Sequence, residues 1–454
     1  MYLGVDLGTS SVKLVLADAG GKIIDSASAD YPLYLPEEGW SEQKPEEWYA
    51  AVLDCVRKLG ERQDMSAVEG ISFCGQMHGL VVLDADDNVI RPAILWNDNR
   101  TTEECAYLNE EVGREKLLEW TGNVAFTGFT APKLMWLKKH EPDNFAKIAK
   151  IMLPKDYIAY KISGVFGSDV SDDSGTLYFD VKNRRWSAPM LDLIGISEAQ
   201  LPAIFESTDV IGTVSPAFAA ESGMSTSAKV IIGGGDQAVG AVGTGTVKEG
   251  SMFVSLGTSG VVFAPCAEFA ASTNGGMHVF RHANGRFHFM GCMLTSAGAM
   301  KWWAEEIVGS TVGKLLDEVD VCKTDDLLFL PYLMGERSPL LDANARGAFI
   351  GLSAIHTRRD LLRAVMEGVI YSQRQNLDIL RGMGVKPASM LACGGGARSP
   401  FWRQMMADVY DARIKSPVLL EEATSMGAAV TGGVGVGLFK DFDAIERFIQ
   451  IDSV

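Results

Sequence analysis

The sequence predicts an α/β fold of two related units, and three observations carry that prediction. Short β-rich runs alternate with amphipathic helical runs along the chain, the pattern of strands layered with helices. One segment, Leu7-Gly8-Thr9-Ser10 followed by Val12, recurs about half a chain later as Leu256-Gly257-Thr258-Ser259 followed by Val261. The length of 454 residues, at roughly 150 residues per domain, accommodates two large units or three ordinary ones.

Apolar runs at residues 2–5 and 12–16 flank the first echo, and runs at 252–255 and 261–264 flank the second. Each reads as a β-hairpin whose tight turn carries glycine and hydroxyl residues. The second unit then begins near residues 246–250, dividing the chain into 1–246 and 247–454. Between the hairpins, residues 68–73, 80–83 and 230–232 read as strands and 45–59 as a helix. Thr357 with Asp360 three residues on forms a capping box before an amphipathic run through Leu361, Leu362, Val365, Met366, Val369 and Ile370. Ser399 is a good N-cap with Pro400 at the first helical position, opening a helix that aligns Phe401, Met405 and Val409. The segment around Lys133, Lys138 and Lys139 reads as a core-packed helix with a solvated basic face.

Composition narrows the function classes. Hydrophobic residues at 47% and charged residues at 22% describe an ordinary globular chain. Lys and Arg total 41 against 58 Asp and Glu, a net charge of −17. A surface this acidic repels a phosphate backbone, so neither nucleic acid nor an anionic membrane is expected as the main partner. Small anions can still bind in a local pocket. The seven cysteines Cys55, Cys74, Cys105, Cys266, Cys292, Cys322 and Cys393 show no CxxC pair and read as buried thiols of a reducing compartment. Charge-free stretches at 250–267 and 423–439 are broken by glycines and hydroxyl residues, and the first also by Pro265, which argues against membrane spans. With no basic n-region at the start, a cytoplasmic protein is expected.

Several segments hold residues suited to chemistry. In the first hairpin turn Gly8 permits close backbone approach, the turn amides and the Thr9 and Ser10 hydroxyls can donate, and Lys13 supplies positive charge. Asp6 is a hard-oxygen group suited to Mg²⁺. Read alone, the same turn is equally a hairpin whose Gly and Asp only make the bend; its second copy favours phosphate binding. The turn Cys393-Gly394-Gly395-Gly396-Ala397-Arg398-Ser399 follows a β-like run and leaves room for an adenine ring. In the run 230–240 three glycines precede Asp236, and a carboxylate with backbone bulk removed beside it can take a proton from a hydroxyl; a structural turn Asp is the alternative. His278, His282 and His288 flank a hairpin signal at 283–285 without the spacing of a zinc site.

With these segments in order, the sequence resembles the FGGY family of carbohydrate kinases from residue 1 to about residue 450. The resemblance rests on the first hairpin, Gln76-Met77-His78-Gly79, Trp96-Asn97-Asp98 with Arg100, the helix at 130–137, the Asp236 run, the second hairpin, the segment 329–339, the run 347–368 and the glycine turn at 393–399. It implies two ribonuclease-H-like domains of the actin-like ATPase kind, with ATP and sugar in the cleft between them. It also implies Asp236 as catalytic base and Asp6 as the Mg²⁺ residue. Thr9, Ser10 and Lys13 would lie near the transferred phosphoryl group, with Gly257, Thr258, Gly298, Gly395, Gly396 and Ser399 about the nucleotide. Gln76, Met77, His78, Asp236 and Gln237 would hold the sugar, with D-xylulose as expected acceptor and ribulose, gluconate or glycerol as alternatives. Members acting on D-xylulose usually carry Asn where this chain has Gln237. A sugar-sensing protein that binds ATP without turnover is the rival class. The partners expected are a small sugar and ATP, and the expected assembly is a homodimer.

Overall fold

The computed structural model describes residues 1–272, 275–316, 326–342, 344–387, 389–417, 423–449 and 451–454. Two mixed sheets organise the chain. The first contains β1 (Tyr2–Leu7), β2 (Ser11–Ala17), β3 (Ile23–Asp30), β4 (Gly70–Gly75), β5 (Val210–Thr213) and β6 (Lys229–Gly235), in the order β5-β6-β4-β1-β2-β3. The second contains β7 (Phe253–Leu256), β8 (Gly260–Cys266), β9 (His278–Arg281), β10 (Phe287–Met293), β11 (Ser389–Cys393), β12 (Arg413–Pro417) and β13 (Ile451–Ser453), in the order β9-β10-β8-β7-β11-β12-β13. In each sheet an antiparallel hairpin, β1–β2 or β7–β8, leads into two parallel neighbours, β4 and β6 or β11 and β12. The repeated turn is thus the visible part of a repeated topology.

Helices cover both sheets. α1 (Pro45–Gly60) begins on Pro45 and buries Trp48, Val52, Val56 and Leu59, an i, i+4, i+8, i+11 stripe laid under the first sheet. α2 spans Thr130–His140, and α3 (Asp236–Gly243) starts on Asp236 itself. α4 (Arg358–Gly382) opens with the expected reciprocal cap, the Thr357 amide and hydroxyl both donating to Asp360 at 2.7 and 2.8 Å. α5 (Pro400–Tyr410) is capped by Ser399, whose Oγ accepts from the Trp402 amide. Its buried face is Trp402, Met405, Met406 and Tyr410, while Phe401 and Val409 are half-buried. The expected stripe is therefore rotated, because Trp402 fills the space against Gly396.

α6 (Ala423–Gly435) crosses between the halves. It follows the second sheet in the chain but packs on β1 and β4 of the first and on α3. Contact is that close because glycines meet backbone: a Cβ on Gly4 would collide with Ser425 O, and one on Gly427 with Val239 O. The largest apolar cluster likewise joins Leu80, Leu134 and Tyr178 of the first half to Val254, Phe280 and Met290 of the second. Among the described residues no helix is long and apolar enough to cross a membrane.

Two side-chain expectations need correction. Lys133 is fully buried rather than part of a solvated face, and only Lys138 and Lys139 are exposed. Cys55, Cys74, Cys105 and Cys266 are buried, but Cys292 and Cys393 are half-exposed, and Cys322 lies outside the described residues.

Candidate active site

The first hairpin turn is held from behind through its carbonyls. Tyr31 Oη and Gln76 Nε2 donate to Gly8 O, the latter at 3.4 Å, and Gln43 Nε2 donates to Thr9 O at 2.7 Å. Trp96 Nε1 donates to Thr9 Oγ1 at 2.9 Å. The Gly8 amide closes the turn on Ser11 O at 3.0 Å, and Ser10 is exposed. Neither Gly8 nor Gly257 has a positive φ; their value is missing bulk, not backbone freedom.

The second hairpin is held in the same manner. Thr258 O accepts from the amides of Ser296 and Gly298, at 2.9 and 3.3 Å. Gly394 rests against Leu256 and Gly257, Gly396 against Trp402 and Leu256, while Gly395 faces open space. The fold therefore gathers Gly257, Thr258, Gly298, Gly395 and Gly396 into one region. The Ser399 hydroxyl caps α5 by accepting from the Trp402 amide at 3.3 Å.

Asp236 sits where β6 becomes α3. A bulge interrupts the pairing of β6 with β4 at residues 231–234, and Gly233, at φ 72°, lies so close to the Phe73 backbone that any side chain would collide with it. The junction is braced by a buried polar group that sequence reasoning missed. Ser171 Oγ accepts from the Gly235 amide at 3.0 Å and donates to Asp169 at 2.6 Å; Ser207 donates to the same oxygen, and Lys155 pairs with Asp169 at 3.0 Å.

Asp6 faces Lys13 across β1–β2 and Cys74 across β1–β4. Burial pushes its carboxyl up to about 6, opposed by the Cys74 thiol and Lys13. Burial pushes Asp236 up to about 7, and the charge of Asp6 adds to the rise, against a hydrogen bond from Gln237. Asp6 raises the cost of ionising Asp236, and buried carboxylates are hard-oxygen groups of the kind a divalent cation takes. Among the described residues no group of three or more His, Cys, Asp or Glu that could hold a metal ion is found.

A cavity of about 150 Å³ joins these parts, lined by Thr9, Met77, His78, Asp236 and Gln237 with Trp96, Ser259, Met290, Cys292 and Arg337. A roomier hollow of about 430 Å³ lies around Ile23, Thr244 and Phe448, and no carboxylate or imidazole is found among the described residues that line it. Gln76 does not line the active cavity: it is buried, with Nε2 on Gln43 and Gly8. Its Nε2 supports the hairpin, while its Oε1 is buried without a protein partner.

His78 is the most constrained residue at the cavity. It adopts φ 68°, uncommon for a residue with a side chain. Its Nδ1 lies 2.8 Å from Gly175 O, its ring packs on Phe129 and Phe280, and burial holds its pKa well below the usual value. A neutral ring whose Nδ1–H donates to a carbonyl leaves Nε2 as an acceptor. The strained backbone is tied down by Lys133, whose Nζ donates to His78 O at 2.7 Å and to Gly128 O at 2.8 Å. Lys133→Met keeps the stem but orphans Gly128 O, at about 1–3 kcal/mol, and leaves His78 O only the Thr130 hydroxyl at 3.2 Å. We expect a lower Tm and a raised KM for the sugar, with KM for ATP little changed; thermal melts and steady-state kinetics check this.

His278, His282 and His288 lie buried among one another and the rings of Phe126, Phe263 and Phe280. Burial pushes all three below the usual histidine value.

The comparisons with known proteins agree along the chain. Residues 1–243 match the N-terminal domain, and residues 252–436 the C-terminal domain, of the FGGY family of carbohydrate kinases. The chain is similar to the xylulose kinase of Escherichia coli strain K12, 40% identical over 432 residues, covering 94% of this chain and 89% of that one. Among solved structures, a xylulose kinase from Brucella ovis superposes with TM-score 0.93 at 40% identity, covering 98% of this chain and 92% of that one. A gluconate kinase from Lactobacillus acidophilus superposes with TM-score 0.96 at 27% identity, covering 100% and 92%.

Proposed function

The chain belongs to the FGGY family of carbohydrate kinases, and on that premise we propose that its acceptor is D-xylulose, phosphorylated by ATP to D-xylulose 5-phosphate. The protein is an ATP-dependent sugar kinase, and its similarity to xylulose kinases over nearly its whole length favours this ketose. The observation that carries the chemistry is Asp236, a carboxyl raised to about 7 in one cavity with Thr9 of the first hairpin and Ser259 of the second.

Asp236 takes the proton of the terminal primary hydroxyl as its oxygen attacks the γ-phosphoryl group. A base with a pKa near the operating pH suits that role. Met77 and the Nε2 of His78 hold the sugar, and Gln237, at 3.3 Å from Asp236 Oδ1, orients the base. Thr9, Ser10 and Lys13 lie with the transferred group, and Gly257, Thr258, Gly298, Gly395 and Gly396 with the nucleotide. Asp6 would hold Mg²⁺; when bound, it supplies positive charge against the phosphoryl oxygens. Residues 1–246 carry the sugar site, the first hairpin and the base, and residues 247–454 the second hairpin and adenosine site. Closing the two over the substrates excludes water, which would otherwise compete as acceptor.

The test is a panel of D-xylulose, D-ribulose, L-ribulose, gluconate and glycerol with ATP and Mg²⁺, read by ADP release. The highest kcat/KM should belong to D-xylulose. Another acceptor clearly ahead overturns the ketose assignment, and ADP release that no acceptor stimulates overturns the kinase mechanism.

A further inference from the structure

The sugar cavity contains one charged group that the mechanism leaves without a task. Arg337 stands between the strands Leu328–Leu330 and Ala348–Ile350 of the second half, yet it lines the cavity with Met77, His78 and Asp236 of the first. Its guanidinium lies 5.4 Å from the Phe126 ring centroid and close beside Gly128. The backbone that carries it is firmly anchored. Glu336 Oε1 accepts from the amides of Leu294, at 2.9 Å, and Arg337, at 2.7 Å; the Ser338 amide donates to Cys292 O at 2.9 Å.

The head group, in contrast, makes no ion pair with a described carboxylate. Arg100 shows the other solution nearby, paired with Asp98 and Glu42 at 2.7 Å each and fully buried. An arginine built on a fixed backbone and left without a carboxylate in a small cavity is poised to donate to a ligand. Of the remaining polar groups in the cavity, the neutral Thr9 and Ser259 hydroxyls can donate, and the others are committed or accept only. Trp96 Nε1 is spent on Thr9, Gln237 Nε2 lies on Asp236, His78 Nε2 is an acceptor, and Asp236 is the base. Met77, Met290, Met293 and Leu294 supply apolar wall. A sugar there finds acceptors for its hydroxyl protons but needs a strong donor for its oxygens.

We propose that Arg337 is a substrate-binding, specificity-determining residue, whose guanidinium donates to the carbonyl oxygen of a ketose and the hydroxyl beside it. This rests on the kinase reading of the same cavity. Because the residue comes from the second half and reaches Phe126 and Gly128 of the first, sugar bound to it also ties the two halves together. The planar fork spans two adjacent oxygens, which an ammonium cannot do with fixed geometry.

The experiment compares wild type, R337Q and R337K on D-xylulose and on xylitol, the same carbon chain with its carbonyl reduced. KM for D-xylulose should rise about 10- to 100-fold in R337Q, as expected for a lost hydrogen bond from a charged donor. KM for ATP should stay within about 2-fold, a split that general damage to the fold would not produce. The preference for D-xylulose over xylitol should collapse in R337Q and fall in R337K. If R337Q does not fold, the loss of that preference in R337K decides. Wild-type activity on D-xylulose with KM and preference unchanged in a folded variant overturns the role of Arg337 alone. A wild-type enzyme that phosphorylates no ketose overturns the functional reading first, and this proposal with it.

Discussion

Asp236→Asn should lower kcat by roughly 10²- to 10⁴-fold, the usual span for lost general-base assistance, while leaving the fold and ATP affinity intact. An amide occupies the same space and can still accept from Gln237 Nε2, 3.3 Å away in the native protein, but it cannot take a proton. The same substitution should raise stability at alkaline pH. Folding raises this carboxyl from 3.8 to about 7, so the folded state binds the proton more tightly than the unfolded chain. That contribution is fully present below about 3.8 and is lost as pH rises through 7, where burial must be borne by the ionised form. Asn has no ionised form. The variant should therefore melt higher than wild type at pH 8, less so at pH 5, and near wild type only below about pH 4. Near-normal kcat in a folded D236N protein would remove Asp236 from the mechanism.

The second large effect belongs to Asp6→Asn. It removes the carboxylate proposed for Mg²⁺, and a lost metal ligand typically costs more than the 10- to 100-fold seen for outer-shell partners. We expect kcat to fall by at least about 10²-fold and half-saturation in Mg²⁺ to move to higher concentration. Titration of the metal-free protein supplies an independent readout. Asp6 is the second cause of the raised Asp236 pKa after burial, so without Mg²⁺ its removal should let Asp236 ionise at lower pH, followed by NMR of the Asp236 carboxyl. A titration that stays in place, with unchanged Mg²⁺ dependence of kcat, would contradict the influence of Asp6 on the base.

What the sequence made legible here was local. The two hairpins could be read because a tight turn between β-rich runs is determined by the few residues within it, and both form with Leu256 paired to Gly260 and Leu7 to Val12. Asp236 stood out because glycines before a carboxylate remove bulk wherever the chain goes next. The capping box at Thr357 needed only residues three apart.

What stayed hidden depends on distant segments. Nothing near residue 423 announces that α6 will leave its own half and pack on β1, since that choice is made by Gly4 and Ser72 some 350–430 positions away. Lys133 was read as basic surface because two lysines follow it. A five-residue step turns a helix by roughly 140° past a full turn, which already places Lys133 and Lys138 on different faces. The carbonyls that satisfy it, His78 O and Gly128 O, come from elsewhere. Gln76 shows the converse, a polar residue beside two cavity residues whose Nε2 instead reaches Gln43 and Gly8 of the hairpin region, partners that local sequence does not name. Arg337 belonged to a recognisable segment, but its approach to Met77 and His78 exists only once the two halves are assembled.

The central claim is transfer of one phosphoryl group from ATP to the terminal hydroxyl of D-xylulose by a site that both halves build. Its most direct measurement is the product itself, by mass spectrometry and phosphorus NMR of a reaction holding the purified protein, ATP, Mg²⁺ and D-xylulose. The account predicts one D-xylulose 5-phosphate for each ADP, with no accumulation of inorganic phosphate. ADP formed with inorganic phosphate and no sugar phosphate, or a phosphate carried on another hydroxyl, would contradict it.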